Sequence, residues 1–156
     1  MDKLDSTLIR SLVKDADIPS SELVPLVNLS IPAINKRISR LKSNGVIRST
    51  TVLTDGKSVG KPITAFVLVV LKQFANADDI IEYAASDDDV LECYAVTGEY
   101  DYLLKICAAD IESFENKLLT MKRCRGIAKS HTMLALMENK LAPSPVPDIP
   151  DGSEKQ

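Results

Sequence analysis

Apolar residues recur at helical spacing in the first 45 residues, and longer apolar runs follow from residue 61. Three stretches carry the helical spacing, and they span residues 5–14, 20–27 and 30–45. In the third stretch, Ile34, Ile38 and Leu41 fall at i, i+4 and i+7 and form one apolar stripe. The pattern predicts three short helices that pack through their apolar sides.

The residues at the ends of these stretches are those that start and stop helices. Asp5 is placed to cap the first helix and Ser30 the third, since a short oxygen side chain accepts an unpaired backbone N–H. Pro32 lies in the first turn of the third helix, where a missing N–H costs little, and Gly45 ends that helix. Between the second and third helices, Asn28 is expected to be a turn residue with positive φ, which asparagine tolerates.

The third stretch is basic as well as amphipathic, since no acid lies between Glu22 and Asp55. Two helices joined by a short turn, with the second helix basic, are the helix-turn-helix arrangement, whose second helix fits the major groove of DNA. The predicted DNA-binding residues of this helix are Ser30, Pro32, Asn35, Lys36, Arg37 and Arg40. Arg37 and Arg40 are expected at phosphates, and Ser30, Asn35 and Lys36 are expected nearer the bases.

A strand-forming segment follows the basic helix. Val46–Thr54 is rich in β-branched residues, and Asp55 with Gly56 is a strong turn signal. These features predict a β wing beside the three helices. Arg48 and Lys57 would then lie near the DNA backbone.

From residue 61 the pattern predicts four strands and two helices. They are Ile63–Leu71, Asp78–Ser86, Val90–Val96, Tyr102–Ala108, Ile111–Met121 and Ile127–Glu138. The order βαββαβ is that of the ferredoxin-like sandwich, so the fold class is α+β, with Asn76 and Asp110 expected as helix caps. Because both helices cover one face of the sheet, and Ile63–Leu71 is apolar at nearly every position, a partner subunit is expected on the other face.

Composition and charge narrow the function. The 156 residues suffice for one medium or two small domains, and no apolar run reaches the roughly 18 residues of a membrane span. The N-terminus lacks a signal-peptide core, which indicates a cytoplasmic protein. Residues 1–60 hold nine Lys and Arg against six Asp and Glu, whereas the remainder holds ten against sixteen. Only the front half is therefore expected to meet a polyanion.

No catalytic or metal-binding constellation is visible. Cys93, Cys107 and Cys124 lack metal-ligand spacing and are expected to be reduced, mostly buried thiols. One His leaves no obvious zinc site, and no Cys–His pair, Ser–His–acid set or phosphate-cradling glycine loop is present. The sequence therefore predicts no enzyme, no metal and no cofactor.

Two signatures together resemble one family of regulators. The segment LDSTLIRSLVKDADIPSSELVPLVNLSIPAINKRISRLKSNGVIRS is similar to the winged helix-turn-helix of the Lrp/AsnC (feast/famine) family. The matching features are LD at residues 4–5, EL at 22–23, LS at 29–30, RISRL at 37–41 and GVI at 45–47. Further on, TGEYDYLL is similar to the hallmark loop of the family's amino-acid-binding (RAM) domain.

From the residues alone, the loop Thr97–Tyr102 is either a hairpin turn with glycine at positive φ or a binding loop. The resemblance implies an effector pocket between subunits, with backbone N–H groups near Gly98 holding an α-carboxylate and Asp101 an α-ammonium. The facing wall would come from the last strand of a neighbouring subunit, while His131 points the other way by alternation and is expected to be packed or paired. The implied effector-binding residues are Gly98, Glu99, Tyr100, Asp101, Tyr102, Ser130 and Thr132.

The resemblance implies a sequence-specific transcriptional regulator with three regions. A DNA-binding domain with hinge spans residues 1–60, a RAM effector-binding and oligomerisation domain spans 61–141, and a disordered Pro-rich tail spans 142–156. The chain is expected to dimerise through the RAM domain and to assemble into an octamer or similar ring. Two alternatives remain, a sirohaem decarboxylase-like enzyme, which the single His disfavours, and an effector-independent DNA-architectural protein.

Overall fold

The computed structural model describes residues 1–72, 77–123, 126–142 and 144–149, and it divides the chain into two compact units. The front unit is Met1–Val52 together with the C-terminal residues from Lys140 onward, and the back unit is Leu53–Asn139. Each unit has its own buried apolar core. Within the described ranges, no helix has both the length and the apolar character that crossing a membrane requires.

The front unit contains the three predicted helices. They are α1 (Lys3–Lys14), α2 (Ser20–Val27) and α3 (Ile31–Ser43). Their apolar sides meet in a small core of Leu8, Leu23, Val27 and Ile34. The turn between α2 and α3 passes through Asn28, whose φ of 51° and ψ of 47° confirm the predicted left-handed residue.

Two predicted caps differ in the structure. Asp2, not Asp5, is the N-cap of α1, and its carboxylate accepts a hydrogen bond from the Asp5 N–H at 2.8 Å. The prediction for Asp5 was wrong because an equivalent acid lies one turn earlier. Ser30 does occupy the N-cap position of α3, but its hydroxyl makes no capping bond. Gly45 follows α3 with a φ of 72°, as a helix stop requires.

The predicted β wing is not formed. No strand lies between α3 and the first strand of the back unit, a stretch that the structure describes completely, and Val52 is 83% exposed. Asp55 instead caps a compact turn, accepting the Ser58 N–H at 2.8 Å, and the turn closes with the Lys61 N–H on the Gly56 carbonyl. A hairpin needs a second strand after its turn, and here the turn runs directly into Pro62, which has no N–H to donate.

The back unit has the predicted βαββαβ order. Its elements are β1 (Ile63–Leu71), α4 (Asp78–Ser86), β2 (Val90–Ala95), β3 (Tyr102–Ala108), α5 (Ile111–Lys122) and β4 (Ile127–Leu134). The strands form one antiparallel sheet in the order β2-β3-β1-β4. Strand β4 ends four residues before the predicted Glu138, because its partner β1 begins at Ile63 and offers no backbone beyond that point.

Both helices pack on one face of the sheet. Ile80 of α4 and Phe114 of α5 lie in a core with alternate residues of β1 and β3. Asp110 caps α5 as predicted, accepting the Ser113 N–H at 2.7 Å. The predicted cap Asn76 lies outside the described residues.

The other sheet face, here called the open face, carries apolar side chains that no helix of the unit covers. Phe66, Leu68 and Val70 alternate with the fully buried positions of β1, and they remain half-buried within one chain. Leu103 of β3 pairs with Leu68 and adds to the same face. Within the described part of the chain, the sheet is therefore covered on one side only.

Asp89, just before β2, connects three parts of the back unit. Its Oδ2 lies 2.6 Å from Lys61 Nζ and 2.9 Å from Lys117 Nζ of α5. The hydrogen bond from Lys61, followed by that from Lys117, lowers the pKa of the Asp89 carboxyl against the opposing effect of burial. The neighbouring Cys107 is buried, and burial together with the nearby Asp89 charge raises the pKa of its thiol.

Two further cysteines complete this set. Cys93 is half-buried and unpaired, and burial raises the pKa of its thiol. Cys124 lies outside the described residues. Neither described thiol therefore has the depressed pKa that a reactive cysteine requires.

Candidate nucleic-acid and effector sites

The predicted DNA-binding residues of α3 lie mostly on its outer side. Pro32, Lys36 and Arg40 follow one another at i, i+4 and i+8 and are all exposed, whereas Ile34 and Leu41 are buried against the other helices. Ser30 and Asn35 are also exposed at the beginning of the helix. The outer side of α3 is therefore polar, cationic and without an acid of its own.

Arg37 and Arg40 form ion pairs inside the front unit. Arg37 Nη1 lies 2.6 Å from Asp2 Oδ2 and 2.8 Å from Asp5 Oδ1, and Arg40 Nη2 lies 2.9 Å from Asp5 Oδ2. The hydrogen bonds from Asp2 and then Asp5 raise the pKa of Arg37, and the pKa of Asp2 is lowered by the Asp5 N–H and then by Arg37. Sequence analysis missed these pairs because the partners are more than 30 positions apart in the chain.

The side chain of Asn35 is held by the preceding helix. Ser20 Oγ donates to Asn35 Oδ1 at 2.7 Å, which joins the beginnings of α2 and the exposed part of α3. With the amide oxygen directed at Ser20, the amide NH₂ faces away from that contact. The arrangement fits the prediction that Asn35 lies near bases, since an Asn amide can read adenine in the major groove.

Arg48 lies in the extended segment after α3 and is exposed. Its predicted position beside DNA depended on a wing that the structure does not contain. A DNA contact by Arg48 therefore stays a prediction without a defined geometry.

The predicted effector loop is anchored to the end of β1. The Asp101 N–H donates to the Val69 carbonyl at 2.9 Å, and Asp101 Oδ2 accepts the Leu71 N–H at 2.7 Å. The Val96 N–H in turn donates to the Asp101 carbonyl at 2.9 Å. Gly98 has a φ of 116°, which confirms the positive φ expected of a glycine in this turn. Asp101 thus has a structural role in the loop, whichever ligand the loop holds.

The two faces of β4 are divided as alternation predicts. Ser130 pairs with Val69 and Thr132 with Val67, so both hydroxyl residues lie on the helix-covered side, half-buried at the sheet edge. His131 pairs with Leu68 and lies on the open face. Its ring centroid is 6.4 Å from that of Tyr100 in the effector loop. Within one chain, His131 of β4 therefore lies beside the loop.

Most of the predicted site residues thus lie in two groups, one in each unit, whereas Arg48, Ser130 and Thr132 lie apart from these groups. The α3 residues share one outer surface, and the loop residues Gly98 to Tyr102 share one end of the sheet with His131. Glu99 is exposed and Tyr102 half-buried. In the ranges that the structure describes, no group of three or more His, Cys, Asp or Glu is arranged to hold a metal ion.

A basic helix-turn-helix joined to a βαββαβ unit with an anchored glycine loop defines a class of protein, the DNA-binding regulator with a separate ligand-binding domain. Comparison with known families agrees. Residues 64–145 match the Lrp/AsnC ligand binding domain, and residues 1–48 match a winged helix-turn-helix DNA-binding domain. The chain belongs to the Lrp/AsnC family of transcriptional regulators.

Individual relatives show the same two-domain likeness. The HTH-type transcriptional regulator FL11 of Pyrococcus furiosus is 29% identical, covering 90% of this chain and 92% of its own. The transcriptional regulator AzlB of Bacillus subtilis is 34% identical over 76% of this chain and 77% of its own. A crystal structure of a Neisseria meningitidis transcriptional regulator in complex with L-methionine is 28% identical, covering 92% and 95% of the two chains with a TM-score of 0.86.

Proposed function

We propose that this regulator binds duplex DNA through the outer side of α3 and changes its assembly when a free amino acid occupies the Thr97–Tyr102 loop. The observation that carries the DNA part is the exposed, acid-free cationic surface of α3 next to the Ser20–Asn35 contact. Arg40 on that surface would meet phosphates, and Ser30, Asn35 and Lys36 would meet base edges. The function proposed for the protein is regulation of transcription without enzymatic activity. It would act in the cytoplasm, where it meets DNA.

The effector part rests on the loop and on the nature of a free amino acid. Such a ligand needs donors for its α-carboxylate and an acceptor for its α-ammonium at a fixed separation. Gly98 and Glu99 are exposed in the turn, where their backbone N–H groups could serve as donors, and Asp101 supplies a carboxylate in the same loop. The Neisseria relative was crystallised with L-methionine, so L-methionine is the first ligand to test.

We also propose that two chains pair through the open face of the sheet and that the dimers assemble further into an octamer or similar ring. The support is the apolar row of Phe66, Leu68 and Val70, which the helices of the same unit leave half-buried. A second copy presents a matching apolar surface, which is what a twofold interface requires. Ser130 and Thr132 lie at the sheet edge on the helix-covered side, so we propose that they complete the effector pocket of a neighbouring subunit at a contact between dimers and not across the open face.

Two measurements test the function. Selection of duplexes from a random pool, followed by fluorescence anisotropy, should give an operator bound at least about a thousandfold more tightly than random DNA. A thermal-shift screen of the free amino acids should show a higher melting temperature with at least one of them, because a ligand that binds only the folded state stabilises it. Specific DNA binding with no response to any amino acid would instead support the effector-independent architectural protein.

A further inference from the structure

Asp5 is an acid buried at the point where α1 meets α3. The residue is only 4% exposed, and its carboxylate accepts hydrogen bonds from Arg37 Nη1 at 2.8 Å and from Arg40 Nη2 at 2.9 and 3.2 Å. A buried carboxylate is stable only when its charge is compensated and its oxygens are hydrogen-bonded. Asp5 therefore holds the guanidinium groups of two α3 arginines against α1.

The two arginines are not equivalent. Arg37 shares its Nη1 between Asp2 and Asp5, and its side chain is 25% exposed. The side chain of Arg40 is 53% exposed, and Asp5 is the one acid with which it pairs among the described residues. Arg37 consequently pairs with two acids and is mostly buried, whereas Arg40 pairs with Asp5 and leaves about half of its side chain exposed.

A guanidinium group held in this way keeps donors for a second partner. It has five N–H donors in a planar fork, and Asp5 occupies one nitrogen of Arg40. Fixing the group in advance removes the rotamer freedom that a flexible arginine would lose on binding a phosphate. Arg40 lies in the exposed row of α3 with Pro32 and Lys36, and 53% of its side chain is exposed, so its remaining donors are open to a ligand from solvent.

We propose that Asp5 is a positioning residue for DNA binding, holding Arg40 in the orientation that contacts one backbone phosphate, while Arg37 anchors α3 to α1. This proposal rests on the proposed DNA-binding function. The sequence led to the expectation that both arginines meet phosphates. The proposal assigns the phosphate contact to Arg40 alone. It also makes a residue of α1 part of the DNA-binding apparatus, although Asp5 itself meets no DNA.

The test is a double-mutant cycle on the full chain, with a random-sequence duplex of about 30 base pairs and anisotropy titrations between about 50 and 200 mM salt. Arg40→Ala should weaken binding about tenfold and make the salt slope shallower by about one. Asp5→Asn should weaken binding to a similar extent in the wild-type background and cause no further loss in the Arg40→Ala background. Equal losses in both backgrounds, or tighter binding by Asp5→Asn, would overturn the proposal.

Control variants separate positioning from folding. Asp2→Asn removes a charge that pairs with Arg37 but not with Arg40, and its amide oxygen can still cap α1, so DNA affinity should stay within about twofold of wild type. Lys36→Ala should weaken binding independently, so that its effect multiplies with that of Asp5→Asn. Should Asp5→Asn fail to fold by circular dichroism, Arg40→Lys decides the question, since it keeps the charge but loses the fork.

The substitution Arg40→Lys also has a definite expected result. Arg40→Lys should bind clearly more weakly than wild type despite an unchanged net charge, and wild-type affinity would refute positioning by Asp5. A wild-type chain that fails to bind any duplex would refute the proposed function itself. A chain that binds DNA normally with Arg40→Ala would refute only the role of Asp5 and Arg40.

Discussion

Asp101 is joined to Leu71 by a hydrogen bond of 2.7 Å between its carboxylate and the backbone N–H at the end of β1. The same residue is the one expected to hold the ammonium group of an amino-acid effector. The two roles can be separated, because an amide oxygen can still accept the Leu71 N–H but carries no charge.

We predict that Asp101→Asn keeps the fold and weakens L-methionine binding by roughly 1.5–3 kcal/mol, the typical contribution of a charged hydrogen bond. Asp101→Ala removes the acceptor as well, and it should also lower the melting temperature. Calorimetry and thermal denaturation of both variants would measure the two effects. Unchanged ligand affinity in a folded Asp101→Asn protein would place the ammonium partner elsewhere.

The open face gives a prediction about assembly. Leu68→Glu puts a charge in the middle of the apolar row, and a charge buried between two sheets is strongly unfavourable unless it is fully paired and hydrogen-bonded. We expect this variant to be monomeric by light scattering while retaining its helix and sheet content. Val13→Glu, at a 39% exposed apolar position of α1, is the matched control and should keep the wild-type mass. Equal masses for both variants would show that the dimer forms elsewhere.

The C-terminal segment gives a third prediction. Arg10 Nη1 donates to the Pro147 carbonyl at 3.0 Å, so part of the predicted tail touches α1. A chain ending at Leu141 should keep its oligomeric state and DNA affinity, because this exposed contact contributes only about 1 kcal/mol. Arg10→Ala and the truncation should cause the same small loss of stability in urea, and the combination should add nothing further. A large loss of DNA affinity on truncation would show that the segment has a function.

A fourth prediction concerns acid stability. The pKa of Asp89 is lowered by Lys61 and then Lys117, so its ionised form stabilises the fold. That contribution is complete above the unfolded-state pKa of about 3.9 and disappears as the pH falls through the lower folded-state value.

Asp89→Asn should therefore lower the melting temperature at pH 7 and lose less additional stability between pH 5 and 3 than the wild-type protein. Thermal denaturation across this pH range would show the difference. Asp110→Asn is a useful comparison, since Asp110 caps α5 and pairs with no lysine among the described residues. Parallel pH profiles for wild type and Asp89→Asn would mean that other acids control acid unfolding.

Local signals were sufficient to predict most elements of the fold. The span of β1 agrees with its apolar run, and the left-handed Asn28 follows from the tolerance of asparagine for positive φ. In both cases the residues that determine the local structure lie within the strand or turn that they form. The end of β4 was harder to predict because it depends on where the partner strand β1 begins. The residues of β4 carry no information about that position.

The site was less predictable where long-range contacts decide it. The cationic character of α3 is visible in the sequence, but the pairing of Arg37 and Arg40 with Asp5 is not, since it requires the packing of α1 against α3. The missing wing has a similar origin. Val46–Thr54 has the composition of a strand, yet a strand needs a partner, and the residues after the Asp55 turn offer none.

The separate cores of the two units have a consequence for how such chains can recombine. A junction near residues 52–53 cuts through neither core, so a front unit could be exchanged for that of a relative without repacking either one. The turn after the junction must be inherited whole with the back unit, because a side chain at Gly56 would come within 2.7 Å of the Lys61 carbonyl oxygen. A single crossover there would exchange residues 1–52, whereas the C-terminal residues from Lys140 onward, which also belong to the front unit, would stay with the back unit.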